Sequence, residues 1–380
     1  MPQQHLQIPD FQPAERGYSM PAEWERHDAT WLAWPHHEPD WPGKFGPVPW
    51  IYADIVRRIA SAERVHLLVQ SAEALRNARN TLKQSAAALP RITFHVQPTD
   101  RIWTRDSGPI FVRSNSRKPQ LAAVGWQFNG WAKYRNYRND EHLPGLAAEV
   151  LKIPLCRPVA PDSRGRLKRL VLEGGSIDVN GQGCLLTTEE CLLSRIQQRN
   201  PRFTQSQVEA FLCRYLGVRK ILWLHRGIAG DDTHGHVDDT ARFAVPGLIL
   251  TCTEANKRDA NHAPLRENLR RLKTMRDPSG RQFTIAELPM PRPVIFRGQR
   301  LPASYANFYI CNAGVLVPVF NDAADVTALK VIEQAFAPRP IIPIYCRDLV
   351  WGLGTIHCMT QQQPALQGKP KSRPSSKAAN

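Results

Sequence analysis

Apolar residues recur at helical spacing in several parts of the chain. Between Thr204 and Gly217 they lie three and four residues apart, and Thr204 with Gln207 has the sequence of a capping box. Gly217 is a stop signal, so this segment predicts a helix that ends there. The same spacing predicts further helices over residues 51–62, 71–88, 142–151, 262–274 and 325–336.

Short β-rich runs lie between these predicted helices. They cover residues 65–69, 92–96, 247–252, 315–320 and 340–346. The last two contain prolines, which lack the N–H that a strand ladder needs, so they predict edge or interrupted strands. Helices that alternate with short strands indicate an α/β fold.

Similar polar segments open several of the strands. One residue of each segment serves as its marker. Successive markers lie roughly 50 to 70 residues apart, each at the boundary of a loop and a strand. A regular period indicates a radial or repeat architecture, and five units closing a ring would bring the five markers to one central mouth. Chance spacing of turns is the alternative explanation. The markers are Asp106, Glu173, Asp238, Asn307 and Cys358.

Composition limits the class of protein. Of the 380 residues, 42% are hydrophobic and 22% are charged, and no apolar run has the length of a membrane-spanning helix. The N-terminus lacks the pattern of a secretory signal, so we expect no membrane association. The net charge of +16 is spread thinly outside a basic tail at residues 365–380, which predicts a basic surface rather than a nucleic-acid site. The composition of that tail predicts disorder.

The eight cysteines include no C-x-x-C pair, and several lie in apolar runs. Without a secretory signal, we predict reduced thiols in a cytoplasmic protein. Cys358 differs from the other seven because glycines, His357 and a Thr-Gln-Gln-Gln run surround it. Polar and cationic surroundings favour the thiolate, which is the nucleophilic form of the side chain. Cys358 is therefore a candidate nucleophile.

Residue types that can carry chemistry stand at or beside the markers. Taken singly, each has a structural explanation; Asp106, for example, suits a turn. Taken together they fit a planar guanidinium cation, which paired carboxylates bind in a bidentate manner. A thiolate could attack its central carbon, and a histidine could protonate the departing ammonia and then deprotonate water. The set is Asp106, Glu173, His236, Asp238 and Cys358.

A metal site is a different interpretation of one of these segments. His234, His236 and Asp238 form H-x-H-x-D, a pattern found in binuclear metal hydrolases. That pattern usually has a histidine where this chain has Asp239, and the downstream histidines are poorly placed to complete a ligand set. A structural histidine pair without chemistry is a further alternative.

Several longer motifs lie along the chain, among them Trp-Thr-Arg-Asp-Ser-Gly-Pro at 103–109 and Ile-His-Cys-Met-Thr-Gln-Gln-Gln-Pro at 356–364. These motifs resemble those of the agmatine deiminases, in the bacterial-type peptidylarginine deiminase family of guanidino-modifying enzymes. They occur in the order of the family, between about residue 18 and residue 364. The others lie at residues 20–35, 40–45, 173–178, 187–193, 232–239 and 300–309.

The resemblance implies a pentein fold, a five-bladed α/β propeller of ββαβ-type units, with residues 1–364 as one catalytic domain. It implies cofactor-free hydrolysis of agmatine, a small cationic guanidino compound, to N-carbamoylputrescine and ammonia, without a metal. Matched by motif, Cys358 would be the nucleophile and His236 the general acid and base. The remaining implied roles are guanidinium binding by Asp106 and Asp238, support by Glu173, and lining of the pocket by Trp103 and Asp232.

Two positions depart from the family pattern. A fuller glycine run usually precedes Ile-His-Cys, where this chain has Leu353 and Thr355. Glycine would permit a positive φ and close approach of substrate, so these two residues leave the substrate open. Deimination of peptidyl-arginine or free arginine, transfer to an amine, and a catalytically dead basic binding protein are the alternatives, and a homodimer is also left open. His357 is not assigned as the base, because adjacent residues of a strand point to opposite faces.

Overall fold

The structure, a computed structural model, describes residues 6–366. Helices and strands alternate along this range, as the sequence predicts for an α/β fold. Its α-helices are α1 (Val48–Ala60), α2 (Ala72–Gln84), α3 (Thr104–Ser107), α4 (Leu143–Leu151), α5 (Glu189–Leu192), α6 (Gln205–Leu216), α7 (His262–Thr274) and α8 (Ala324–Phe336).

The strands are short, and most have two to six residues. They are β1 (Tyr18–Ser19), β2 (His27–Ala33), β3 (Arg64–Val69), β4 (Ile92–Val96), β5 (Ile110–Ser114), β6 (Leu121–Val124), β7 (Leu155–Cys156), β8 (Val159–Pro161), β9 (Leu167–Arg169), β10 (Asp178–Val179), β11 (Cys184–Thr188), β12 (Lys220–Leu224), β13 (Ala241–Val245), β14 (Leu248–Thr253), β15 (Thr284–Pro289), β16 (Ile295–Phe296), β17 (Gln299–Arg300), β18 (Tyr309–Cys311), β19 (Gly314–Val319), β20 (Ile341–Tyr345) and β21 (Gln361–Pro364).

Within residues 6–366, five sheets of three or four strands repeat one arrangement. In each, an antiparallel pair is followed by a parallel pair, and at least one helix lies in the crossover between the parallel strands. In one sheet β13 and β14 are antiparallel, β14 and β15 are parallel, and α7 connects the latter two. In another, β21 pairs antiparallel with β2, and β2 pairs parallel with β3, so both ends of the described chain complete one unit. The repeating ββαβ order confirms the α/β class.

Helix positions follow the hydrophobic pattern. The helix predicted after Thr204 is α6, which has the capping box with Gln207 and ends at Gly217 in the left-handed conformation. α1 begins three residues earlier than predicted because Pro49 is accommodated in its first turn. The α1 side chains Ile55 and Ile59 are fully buried. Each such side chain contributes about 1.5–3 kcal/mol when it leaves water.

One strand prediction is wrong. Pro318 was expected to mark an edge or interrupted strand, but β19 is the central strand of β18–β19–β20. β18 pairs only with residues 314–316 of β19, so no strand lies beside Pro318 on that side. The missing N–H therefore need not break the ladder between β18 and β19. β20, the other proline-containing strand, does lie at a sheet edge.

The five sequence markers all lie shortly before the first strand of a ββαβ unit. Asp106 precedes β5, Glu173 precedes β10 and Asp238 precedes β13, while Asn307 and Cys358 precede β18 and β21. This confirms that each stands at a boundary between a loop and a strand. All eight cysteines lie within the described residues and are unpaired.

Neither end of the chain is described to its last residue. Of the predicted basic tail, residues 367–380 lie outside the described range. Ala365, the first tail residue, is buried, and its N–H donates to the Arg26 carbonyl at 2.8 Å. Within residues 6–366, no helix has both the length and the apolar character needed to cross a membrane.

Candidate active site

Cys358 lies in a turn just before β21. The assumption that His357 and Cys358 alternate across a strand is therefore wrong. Both side chains reach the same carboxylate: Asp238 Oδ2 lies 2.7 Å from His357 Nδ1 and 3.7 Å from Cys358 Sγ. A turn permits this because it does not impose the two-residue periodicity of a strand.

Cys358 lines a cavity of about 260 Å³. Asp106 and the two predicted pocket residues, Trp103 and Asp232, line the same cavity, which has the size of a site for a small molecule. Aromatic rings form much of the wall, and the face of such a ring attracts a cation. Those rings belong to Trp103, Trp131, Tyr134, Phe296 and Trp351.

The other predicted catalytic residues lie behind the wall and contact one another. His236 is 1% exposed and is surrounded by carboxylates. Its Nδ1 lies 3.9 Å from Asp106 Oδ1 and 4.0 Å from Asp238 Oδ1, and its Nε2 lies 3.7 Å from Glu173 Oε2. The structure thus brings all five predicted residues together, through contacts that run from Glu173 to Cys358.

Gly175 allows this close packing. A Cβ atom at this position would lie 2.5 Å from His236 Nδ1 and 2.9 Å from Asp106 Oδ1, distances that real Cβ atoms do not adopt. The N–H of Gly175 donates to Asp106 Oδ1 at 3.0 Å, and Trp131 Nε1 donates to Asp106 Oδ2 at 2.9 Å. The Glu-Gly-Gly motif therefore supplies both a carboxylate and the space beside it.

The electrostatic surroundings prepare His236 to act as an acid. Burial lowers the pKa of His236, but the charge of Asp106 and the neighbouring Cys191 and Glu173 outweigh burial, and the pKa lies well above its usual range. Burial raises the pKa of Asp106 to about 6, although His236 opposes that shift. A protonated imidazole at neutral pH can give its proton to a leaving group.

The neighbouring carboxylates disfavour the ionised form of Cys358. Burial raises the pKa of its thiol well above the usual value, and the charges of Asp238, Asp239 and Asp106 raise it further. Without a bound cation, the thiol is therefore protonated at neutral pH. A cation placed among these carboxylates would favour the thiolate.

A model of the family described as Porphyromonas-type peptidyl-arginine deiminase matches residues 19–364. The chain belongs to this family. It is 34% identical to an agmatine deiminase of Ectopseudomonas mendocina over 94% of this chain and 98% of the relative. It is 35% identical to an agmatine deiminase of Stutzerimonas stutzeri over 93% of this chain and 97% of the relative.

Solved structures of the family have the same fold. The agmatine deiminase of Enterococcus faecalis superposes with a TM-score of 0.85 at 31% identity, covering 94% of this chain and 99% of that one. A cysteine-to-serine variant of C. jejuni agmatine deiminase with substrate bound superposes with a TM-score of 0.80 at 28% identity. That alignment covers 92% of this chain and 97% of the other.

One of the two departures from the family's glycine run, Leu353, forms part of the cavity wall. Leu353 lines the cavity and has φ +68°, so a side chain occupies a conformation that glycine adopts without strain. The left-handed conformation costs about 1–2 kcal/mol for such a residue. At Gly354 a Cβ atom would come 2.8 Å from the Trp103 ring and 3.1 Å from Cys358 Cβ. The backbone at Gly354 therefore passes too close to Trp103 and Cys358 to carry a side chain.

Asn307 is a site residue that the sequence analysis noted as a marker but gave no role. Its Nδ2 donates to Cys358 Sγ at 3.1 Å and to Asp239 Oδ1 at 2.9 Å. Thr355 Oγ1 and the His357 N–H both donate to Asn307 Oδ1, at 2.7 and 3.0 Å, which fixes the orientation of the amide. Thr355, the second departure, thus supports the residue that donates to the sulfur.

Asn307→Ala should raise the pKa of the Cys358 thiol further. The amide N–H favours the charged sulfur, and one lost charge-assisted hydrogen bond corresponds to roughly one pH unit. The measurement is the pH dependence of alkylation of Cys358 by iodoacetamide. Thr355→Val should shift the pH profile in the same direction by a smaller amount, and Thr355→Ser should leave the profile unchanged. An unchanged profile in Asn307→Ala would refute the role of Asn307 as a donor to the Cys358 sulfur.

Arg199 is a second residue that the sequence analysis missed. It is 2% exposed, and its Nε donates to Glu173 Oε1 at 3.1 Å. Burial raises the pKa of Glu173, but Arg199 and His236 lower it more, to about 2. Glu173 is therefore ionised beside His236. The only sequence signal for Arg199 is its position a few residues after the motif at 187–193.

Arg199→Met should destabilise the fold by about 3–5 kcal/mol, because it leaves the buried Glu173 carboxylate without its cation. The free energy of unfolding is measured by urea denaturation. Arg270→Met is the control, since Arg270 pairs with Glu267 on the exposed face of α7. That substitution should leave the unfolding free energy unchanged. A loss of equal size in the two variants would contradict the assignment.

Asp232 lies at the cavity as predicted but already has a cation. Lys133 forms an ion pair with Asp232, and Tyr134 Oη donates to Asp232 Oδ2 at 2.6 Å. Arg101 stacks on the Tyr134 ring with its guanidinium carbon 4.2 Å from the ring centre. This part of the wall therefore combines both charge signs with an aromatic ring.

The H-x-H-x-D segment is not gathered into a metal-ligand set. His234 Nε2 lies 3.2 Å from Ser194 Oγ. In the described part of the chain, the cluster with suitable ligand atoms within 4.8 Å of one another consists of Glu173, Cys191 and His236. Arg199 beside Glu173 adds a positive charge that opposes a bound cation there.

Proposed function

We propose that this protein is an agmatine deiminase, which hydrolyses agmatine to N-carbamoylputrescine and ammonia. The observation that carries the proposal is the cluster of Cys358, His236 and the Asp106, Asp238 and Glu173 carboxylates, of which Cys358 and Asp106 line one aromatic-walled cavity. The relatives named agmatine deiminase, which align over more than nine-tenths of this chain, support the same activity.

The guanidinium end of the substrate would bind between Asp106 and Asp238. Among the described residues, Asp238 Oδ1 is buried and accepts no hydrogen bond, so it is free to accept one from a guanidinium N–H. The cation would also offset the carboxylate charges that keep the Cys358 thiol protonated. Binding of substrate would thus ionise its own nucleophile.

The reaction would proceed through a covalent intermediate on sulfur. The Cys358 thiolate forms a bond to the guanidinium carbon and gives a tetrahedral adduct. The bond from carbon to one nitrogen breaks as His236 donates its proton, and ammonia leaves an S-alkylthiouronium. Neutral His236 then accepts a proton from water as the water attacks. The carbon–sulfur bond then breaks and the hydroxyl proton of this second adduct passes to the sulfur, which releases the ureido product and restores the Cys358 thiol.

Residues 1–364 would form one catalytic domain in which the five sheets are the blades of a closed propeller. The five ββαβ sheets and the pairing of β21 with β2 support this arrangement. Closure would place the loop before each first strand at a common centre. The contacts among Asp106, Glu173, Asp238 and Cys358 agree with such a centre.

Ammonia release from agmatine, free arginine and a blocked arginine peptide tests the substrate. We expect turnover of agmatine well above that of the other two, because the cavity of about 260 Å³ suits a small molecule. Preferred turnover of the peptide would support a peptidylarginine deiminase instead. No turnover of any of the three would refute the proposed activity.

A further inference from the structure

Glu23, in the motif at residues 20–35, is buried behind the candidate active site with 4% exposure. Its Oε2 lies 2.8 Å from His357 Nε2 and 3.1 Å from Arg105 Nη2. Its Oε1 lies 3.1 Å from Arg242 Nη2 and accepts the Ile310 N–H at 2.9 Å. Two guanidinium groups and two further donors thus hold this carboxylate in its ionised form. Burial raises the pKa of Glu23, but Arg242, His357 and Arg105 hold it well below the usual range.

His357 connects Glu23 to Asp238. Its Nε2 faces Glu23 Oε2 at 2.8 Å and its Nδ1 faces Asp238 Oδ2 at 2.7 Å. Ionised carboxylates only accept hydrogen bonds, so both contacts are satisfied only when both ring nitrogens carry a proton. The imidazole ring is 1% exposed, and its two partners fix its orientation.

The contact from His357 fixes the orientation of the Asp238 carboxylate. It occupies Oδ2, which lies 3.7 Å from Cys358 Sγ, and leaves Oδ1 buried with no hydrogen-bond partner in the described part of the chain. An unpartnered buried oxygen costs about 1–3 kcal/mol, a cost that a hydrogen bond from the substrate guanidinium would remove.

We propose that Glu23 and His357 form a positioning pair for the reaction. His357 holds Asp238 so that one oxygen faces the nucleophile and the other accepts from the substrate guanidinium, and Glu23 keeps His357 doubly protonated and oriented. Neither residue touches substrate. The proposal rests on the function proposed above, and it accounts for the presence of Glu23 in a motif far from Cys358 in sequence.

A double-mutant cycle on agmatine turnover tests the pair. His357→Gln should lower kcat/KM by about 100-fold, with a raised KM, because a misplaced Asp238 binds the guanidinium poorly. Glu23→Gln should act in the same direction. The double variant should be no worse than His357→Gln alone, because Glu23 acts through His357. If the two losses multiply, or if His357→Gln retains full activity, the pair is refuted.

His27→Gln is the matched control. His27 is also buried, and its Nδ1 lies 3.4 Å from the Glu63 carboxylate. Its Nε2 lies 2.8 Å from the main-chain carbonyl of Glu23, but among the described residues its ring contacts neither the Glu23 carboxylate nor Asp238. The His27→Gln substitution should leave KM for agmatine unchanged even if it lowers the stability of the fold. A rise in KM as large as that of His357→Gln would assign the effect to the loss of any buried histidine.

Nuclear magnetic resonance of the unsubstituted protein gives a readout that does not depend on the variants folding or on turnover. In uniformly labelled protein, His357 is assigned through its backbone connection to Cys358. We expect two ring N–H protons at neutral pH, both shifted far downfield by their carboxylate partners. A single ring N–H would overturn the proposal. If both protons are present but agmatine is not turned over, the proposed substrate fails and the positioning pair stands.

Discussion

Cys358→Ala should lower the rate of ammonia release from agmatine by about 10⁴-fold or more, since the substitution removes the atom that forms the covalent intermediate. The cavity should still bind agmatine, because Asp106 and Asp238 remain. Ammonia is measured in a coupled assay, and binding is measured by calorimetry. Mass spectrometry of the unsubstituted protein, quenched during turnover, should detect a thiouronium adduct on the peptide that contains Cys358.

Cys213→Ser is the control for this substitution. Cys213 lies on α6, is partly exposed and does not line the cavity, so its loss should not change turnover. Retention of activity in Cys358→Ala would rule out thiol catalysis. Loss of activity on chelation in the unsubstituted protein would favour the metal mechanism instead.

His236→Asn should lower kcat by about 10³-fold, because it removes the group proposed to protonate the departing ammonia, while His357, the other histidine near Cys358, is held between Asp238 and Glu23. The pH profile gives a second expectation. The pKa of His236 is raised well above its usual range, so the unsubstituted enzyme should lose kcat at high pH as His236 deprotonates. The residual activity of His236→Asn should lack that decrease.

Stability should follow the same titration. The folded pKa of His236 lies above the unfolded value of about 6.5, so the proton on His236 stabilises the fold fully below that pH. This contribution is lost as pH rises through the raised folded pKa. The difference in unfolding free energy between the unsubstituted protein and His236→Asn, measured by urea denaturation, should therefore shrink at high pH. A difference that is constant with pH would contradict the raised pKa.

The linear sequence was enough to find most of the local structure. The helix α6, with its capping box at Thr204 and its stop at Gly217, depends on contacts within a few residues, which a sequence pattern records directly. The markers before β5, β10, β13, β18 and β21 could also be found, because a boundary between a loop and a strand is visible in the local sequence. Pro318 shows the limit of such patterns. The central strand β19 accommodates this proline because its neighbour β18 is too short to reach it, and the sequence around Pro318 does not record the length of β18.

The chemistry of the candidate site could also be predicted from residue types and motifs. Cysteine, histidine and carboxylates are the groups that guanidinium hydrolysis requires, and the structure brings the predicted five together. The supporting residues could not be predicted in this way. Arg199 and Asn307 act through hydrogen bonds to Glu173 and Cys358, and such bonds depend on the orientation of side chains in the folded chain.

The sequence by itself determined the fold class, the approximate positions of the long helices and the candidate reactive groups, because these depend on local periodicity and on residue chemistry. Only the tertiary structure decided that Cys358 lies in a turn and that His357 reaches Asp238. It also decided that Glu23, 334 residues from His357, contacts the same imidazole ring. Packing sets these contacts between distant residues, and no sequence spacing records them.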